Sequence, residues 1–276
     1  MSAMQDLEEY LKECTAYVLA KNYGTDPTNY LNYNNFKDKK TRNEKFKLSN
    51  ILNSINNNLT SIKEPIKHYA TEYNVVPPWI LLKSVYFSTI VNFLRCFKRP
   101  QKVEIANMLY NSLTLKLNED QLVMLMHDTL SLCMDYRNCS AHGGRIYNYI
   151  SDSNIRVNDI FPSNFLNMRQ KSNIGMLLRL LSLLNYQDPF ISISNTLNQE
   201  INRHCSNYPQ DKDYLSNVLD IEIKAEIYVY KSKNSTICHN DINCSGLKSP
   251  IKMLYEDAIK RGLTPCKKCI IPFKKL

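Results

Sequence analysis

Residues 135–149 read DYRNCSAHGGRIYNY, placing Arg137, Asn138 and His142 within six residues and two of the chain's six glycines directly after them. Arginine offers a permanently charged planar fork for phosphate oxygens, and histidine is the side chain whose proton moves near neutral pH. Together they suit a phosphodiester. An RNA backbone carries its own nucleophile, the 2′-hydroxyl, so a base for its proton and a cation on the five-coordinate phosphate suffice without a catalytic metal. On a helix Asn138 and His142 share a face, whereas Arg137 lies about 140° round from His142. A common ligand therefore requires the last turn to distort or a second chain to complete the cleft. The same residues would also suit a plain helix C-terminus, where Arg and His meet the dipole and Asn caps the end.

A second constellation lies in TICHNDINC and GLTPCKKC, which supply Cys238, His239, Cys244, Cys266 and Cys269. A Cys-x2-Cys preceded by a Cys/His pair is a tetrahedral metal pattern, and a module of about 50 residues buries too little core to fold unaided. The expected ligands of one structural zinc per chain are His239, Cys244, Cys266 and Cys269, with Cys238 the rival for the first place. Four protein ligands leave no open position for catalysis, and the lysines nearby could hold RNA phosphates.

The elements that must position these residues are mainly helical. Met4, Leu7, Leu11, Cys14 and Val18 recur at helical spacing, with Gly24 as a stop. Residues 25–45 have no such period and read as a mobile basic loop. Leu48, Ile51, Leu52, Ile55 and Leu59 resume the stripe. Ser61 and Glu64 suggest a capping box that restarts a helix to about Tyr73. VVPPW forces an extended break, and a long helix is expected from Trp79, taken as a core anchor, to Phe97. A short helix around Ile105, Ala106 and Leu109 follows. Asn118 then caps a helix whose stripe is Leu122, Leu125, Met126, Thr129, Cys133 and Tyr136, and Gly143 or Gly144 ends it. Residues 173–185 and a further segment with Leu197, Ile201 and Cys205, entered through a serine cap, complete the helical part. DIEIKAEIYVYK, residues 220–231, alternates like a strand, so the period and composition change near residue 215. Domains are expected at 1–215 and 216–276.

The 276 residues are 43% hydrophobic and 22% charged, an ordinary globular balance, and a formal net charge of +9 makes an anionic partner worth testing. From Lys248 onward eight Lys or Arg face two acids. No apolar run approaches the roughly 18 residues of a membrane span. The first residues lack the pattern of a signal peptide. Nine cysteines in such a chain point to thiols or metal ligands rather than disulfides, which suggests a cytoplasmic address. There is no Gly-rich phosphate loop, HExxH or serine-nucleophile motif. His68, His127 and His204 read as packed or surface imidazoles.

RNCSAHGGRIYN resembles the RN-x-x-AH-x-x-R-x-x-N signature of bacterial abortive-infection (Abi) proteins, members of the HEPN superfamily of helical ribonucleases. The segment from IKHYATEYNVVPPW through EIANMLY is similar to that family's Pro-Pro-Trp and following helix. The resemblance is good over residues 62–149 and looser over 1–215. It implies a mainly α fold, an HEPN-like helical bundle followed by a small α+β zinc-binding module. It also implies that Arg137, Asn138 and His142 are the catalytic set of a metal-independent endoribonuclease toxin leaving 2′,3′-cyclic phosphate ends. Arg145 and Asn148 match downstream, substrate-binding positions. Lys83 stands where relatives carry an acidic residue. The tail is similar to a small zinc module of Abi-like and nuclease-like proteins. Partners implied are RNA as substrate, a small regulatory RNA or antitoxin as control, and a second copy in a homodimer, with no membrane. The alternative from the residues themselves is a non-catalytic RNA-binding or interaction module. A zinc-dependent DNA-binding regulator is a weaker third, because no recognition helix accompanies the ligands.

Overall fold

The computed structural model describes residues 2–38, 46–156, 172–223 and 228–269. They form two compact units, one of Met1–Ser172 with Met176–Phe190 and the other of Asn173–Gly175 with Ile191–Leu276. The change of period near residue 215 falls inside the second unit, whose first part is helical.

The labelled helices are α1 (Ser2–Tyr23), α2 (Leu48–Asn56), α3 (Ile66–Glu72), α4 (Phe87–Cys96), α5 (Arg99–Leu109), α6 (Glu119–Ala141), α7 (Ile174–Leu181), α8 (Asp188–Asn207), α9 (Lys212–Leu219) and α10 (Tyr255–Lys260). The fold is mainly α, with a small two-sheet strand region near the C-terminus. In the first unit α5 packs on α1 and α6, and α4 packs on α2 and α6. The expected stripes face this core: Leu7, Leu11, Val18, Leu48, Ile55, Leu122, Leu125, Met126 and Cys133 are all buried. Burying one such aliphatic side chain contributes about 1.5–3 kcal/mol, so the periodic positions decide which face of each helix turns inward.

Four expectations change within residues 25–97. The capping box at Ser61 does not form. Ser61 Oγ accepts from Lys63 N at 3.2 Å and the Glu64 carboxylate from His68 N at 3.1 Å, so both side chains are spent on local turns and α3 begins after Pro65. The long helix from Trp79 is three pieces, Pro78–Leu81, a 3-10 turn Leu82–Ser84, and α4. Val85 and Phe87 are buried while Tyr86 is 76% exposed; that in-out-in alternation needs an extended backbone, which Val85 and Tyr86 adopt with ψ of 136° and 147°. Trp79 is 44% exposed, and its neighbours Ile80 and Leu81 take the core positions instead. Finally, the basic segment expected to be a mobile loop is structured in its first part, through the helical turn Pro27–Tyr30 and a 3-10 turn Tyr33–Asn35. Asp26 caps Thr28 N at 2.8 Å, Tyr30 donates to the Val76 carbonyl at 2.7 Å, and Phe36 packs on Phe93 and Phe97. Residues 39–45 lie outside the described chain.

Helix α8 starts at Asp188, among the last residues of the first unit, with Pro189 behind it rather than at a serine, a start suited to a first turn that tolerates proline and favours an acid. Ile201 and Cys205 are buried as expected. Of the segment expected as strand at 220–231, Asp220 has a left-handed backbone closing α9, residues 224–227 lie outside the described chain, and β1 occupies Tyr228–Lys231. β1 pairs antiparallel with β3 (Ile251–Leu254), while β2 (Ile237–Cys238) pairs in parallel with β4 (Thr264–Pro265). Their core is small: Val229, Cys238, Ala258 and Leu263, with Met253 and Tyr255 against it.

Candidate functional sites

Helix α6 positions the Arg-Asn-His set, and its two ends are closed by different devices. At the start, Asn118 Oδ1 accepts from Gln121 N at 2.9 Å and Gln121 Oε1 accepts from Asn118 N at 3.1 Å, a reciprocal box followed by Glu119 and Asp120 in the first turn. At the other end His142 is the C-cap, with φ −92° and ψ 12°. Gly143 takes φ +70°, Gly143 N donates to Ser140 O at 3.2 Å and Gly144 N to Cys139 O at 2.8 Å. This six-to-one closure satisfies carbonyls that a helix otherwise leaves open.

Gly144 also permits a close approach. A Cβ there would sit 2.5 Å from Cys139 Sγ and 2.9 Å from the Cys139 carbonyl oxygen. Gly143→Ala should therefore cost about 1 kcal/mol for its positive φ, and Gly144→Ala more, because a backbone carbonyl cannot yield without opening the helix end. Urea denaturation of both variants checks the order; a smaller loss at Gly144 would show that the closure does not depend on this contact.

After the glycines the chain doubles back along α6. Tyr136 donates to the Tyr149 carbonyl at 2.9 Å and their rings meet edge-on at 5.1 Å. Further along, Ser151 Oγ and Ser153 Oγ both donate to Asp135 Oδ2. Buried Asp128 then receives Arg156 through its Nη2 at 2.5 Å, its Nε at 3.3 Å and its backbone N at 2.8 Å. Asp135 and Asp128 thus act as anchors for the returning strand of chain, a role that no spacing pattern announces because the partners lie 16–28 residues away.

Arg137 and Asn138 are half-buried, and His142, Arg145 and Asn148 are exposed. Arg137 Nη1 meets Asn138 Oδ1 at 3.5 Å, whereas Arg137 Nε is buried with no hydrogen-bond partner among the described residues. The structure therefore joins Arg137 to Asn138. His142 is tied to Asn138 through the backbone, its N donating to the Asn138 carbonyl at 3.1 Å. Lys83 is exposed on the 3-10 turn, where its carbonyl accepts from Lys12 Nζ at 3.3 Å.

The second candidate is a metal centre. Parallel pairing of β2 with β4 sets Cys238 opposite Pro265, and Cys266 N donates to the Cys238 carbonyl at 2.8 Å, so His239 and Cys266 follow their strands on adjoining turns. The ligand atoms of His239, Cys244, Cys266 and Cys269 all lie within 4.8 Å of one another. Cys244 Sγ and Cys266 Sγ are 3.9 Å apart, and Cys269 Sγ is 3.7 Å from His239 Nδ1. For metal–sulfur bonds of about 2.3 Å a tetrahedron has edges of about 3.8 Å, so the donors fit one tetrahedral ion. Between the rival first ligands the choice falls on His239: Cys238 is fully buried in the apolar core of the module.

The electrostatics favour the ligand form at His239 and Cys266 and oppose it at Cys269, whose thiol burial raises above its ordinary value. Burial holds the His239 imidazole below its ordinary value, which favours the neutral ligand form. At Cys266, burial favours the thiol, but N–H groups of Lys268 and Cys269 and the neighbouring thiols outweigh it and lower its pKa; Lys268 N lies 3.4 Å from its sulfur. Gly246 leaves room for the ring, since a Cβ there would lie 3.3 Å from His239 Cε1. Lys267 and Lys268 beside the ligands are exposed.

No helix among the described residues is long and apolar enough to cross a membrane. Compared with known families, residues 1–148 match the family model of the Abi-like protein, a span that contains the whole of α1–α6 and Arg137, Asn138, His142, Arg145 and Asn148. No curated protein and no solved structure gives a match.

Proposed function

Because the chain belongs to the Abi-like protein family, we propose that it serves abortive infection as a cytoplasmic, metal-independent endoribonuclease. The observation that carries this reading is Arg137: a half-buried guanidinium beside Asn138, one of its N–H groups unpartnered, five residues before an exposed His142. Buried donors without partners are rare in native structures and call for a ligand or a role. A phosphate oxygen would supply both once the helix end opens enough to expose that buried nitrogen.

In the proposed reaction His142 takes the proton of the substrate 2′-hydroxyl, whose oxygen attacks the adjacent phosphorus. Arg137 stabilises the extra charge of the five-coordinate phosphate, and Asn138 orients the phosphate or the imidazole. The bond to the 5′-oxygen then breaks and that oxygen takes up a proton, leaving a 2′,3′-cyclic phosphate and a 5′-hydroxyl. One imidazole serves as base or acid. A second copy of the chain, placed with its own α6 end against the first, would supply the other and bring a second arginine, in a symmetric dimer. Arg145 and Asn148, exposed in the turn after the glycines, stand ready to contact the bound strand. The Cys/His set would hold one zinc in a purely structural role, for its four donors fill a tetrahedron.

The chemistry dictates the test. Purified protein should cut single-stranded RNA in the presence of EDTA, and should leave uncut both DNA and an RNA bearing a 2′-deoxy residue at the cleavage position. Cutting the 2′-deoxy substrate at an equal rate would remove the 2′-hydroxyl from the mechanism. Tight binding without any cutting would make the chain a non-catalytic RNA-binding member of its family.

A further inference from the structure

A cavity of about 500 Å³ opens on the first unit between the C-terminus of α4, the first turn of α5, the middle of α6 and the returning segment at residues 153–156. Its size is that of a small-ligand site. Arg95, Lys102 and Arg156 line it together with His127, Asp128 and Ser131. One carboxylate, Asp128, stands in the lining with these three cations and both its oxygens are taken by Arg156, while Asp135 lies close enough to act on the charge of Arg95. Arg95 is held in place by neutral groups, donating to Ser131 Oγ at 2.7 Å and to Asn92 Oδ1 at 3.3 Å. The Ser131 hydroxyl is in turn fixed on the His127 carbonyl at 2.7 Å. Lys102 Nζ reaches the Arg95 carbonyl at 2.7 Å, at the negative end of the α4 dipole. A guanidinium fixed by a hydroxyl and an amide at a cavity wall is pre-organised for an anion it does not yet hold.

Position identifies the anion. By the helical period, His127, Ser131, Asn138 and His142 fall within an arc of about 60° on α6, and Ser131 precedes His142 by about 16 Å of helix. A strand whose scissile phosphate lies at the helix end can follow this face, and a phosphate a few nucleotides away meets the cavity. The lining has no aromatic platform beyond the imidazole of His127. Such a wall grips backbone without reading bases.

We propose that this cavity is a second phosphate site, built from Arg95, Lys102 and Arg156, which holds the RNA backbone away from the cleaved bond and fixes its direction along α6. The proposal rests on the reading of RNA as substrate, but not on cleavage. It is tested with the full chain and a short 2′-O-methyl oligoribonucleotide, which has no free 2′-hydroxyl, by fluorescence anisotropy over a range of salt.

Lys102→Gln and Arg95→Gln should each weaken binding about tenfold near 0.1 M salt and reduce the salt slope by about 0.7, the value for one phosphate neutralised on a single strand. Lys63→Gln, an exposed lysine elsewhere on the unit, should change neither. Thermal melts check that both cavity variants fold, and Lys102→Gln, on the half-buried rim, removes a bond to the Arg95 carbonyl but not the Arg95 side-chain bonds to Ser131 and Asn92. Variants that bind with the native affinity and slope overturn the site while leaving the cleavage reading untouched. Native protein that binds RNA with these slope changes, yet cuts none, upholds the site and sinks the cleavage. If inorganic phosphate or a nucleoside diphosphate protects the native protein in a Lys102-dependent way without competing with the oligonucleotide, the cavity serves a free phosphate and the RNA site is refuted.

Discussion

His142→Ala should lower RNA cleavage by about 10²–10⁴-fold, the range supplied by a positioned acid or base, while the protein melts within a few degrees of the native chain. The imidazole is exposed at the C-cap, where the helix is closed by Gly143 and Gly144 backbone bonds that alanine leaves in place. Arg137→Ala should lose about 10²–10³-fold if its charge stabilises the phosphorane. Arg137→Lys should not restore it, because a point charge does not reproduce the planar fork. Assembly adds a sharper signature. If each cleft draws an imidazole from both copies, mixing native protein with excess His142→Ala chains depresses activity beyond dilution. A loss of several kcal/mol of stability in either alanine variant with cleavage retained would instead make the pair a helix terminus and nothing more.

The second large effect concerns the metal. Cys266→Ser or Cys269→Ser should empty the site and unfold residues 228–269, because four buried core residues cannot offset the ordering entropy of the module without the ion. Structural zinc of this ligand type contributes on the order of 10 kcal/mol to the folding of a small domain. Elemental analysis should find one zinc per native chain and none in the variants. Hydrogen exchange should show the module unprotected, and α1–α6 protected as before. Cys238→Ala is the contrasting case: it leaves a small void in the core and should keep the metal. An ordered module in metal-free native protein would refute the assignment.

Much of this was legible before any coordinates, and the reason differs from element to element. Helix α6 was readable because a cap, two first-turn acids and a long apolar stripe coincide, each independent of the others. The Cys/His cluster was readable because its donor types and spacing are those a tetrahedral ion requires, and only the choice between Cys238 and His239 required the strand pairing that places Cys238 in the apolar core. The break at Val85 and Tyr86 was hidden, since apolar residues on both sides satisfy a helical period as well as an alternating one. The Ser61 box failed because backbone N–H groups two and four residues further on claimed the same side chains. The cationic cavity could not be seen at all: Arg95, Lys102 and Arg156 come from three segments that only tertiary packing assembles.

The order of the strands sets a schedule for synthesis. β2 waits for β4, and His239 and Cys244 wait for Cys266 and Cys269, whereas every residue of the α6 site is already in place by Asn148. At ordinary rates of translation the ribosome needs on the order of ten seconds to travel from the last residues of the first unit to the final ligand. During that interval a nascent chain carries the complete Arg-Asn-His sequence without the full Cys/His set. A cell that makes this protein therefore meets the helical surface before the module, and any molecule that restrains it through the module arrives at a surface already made.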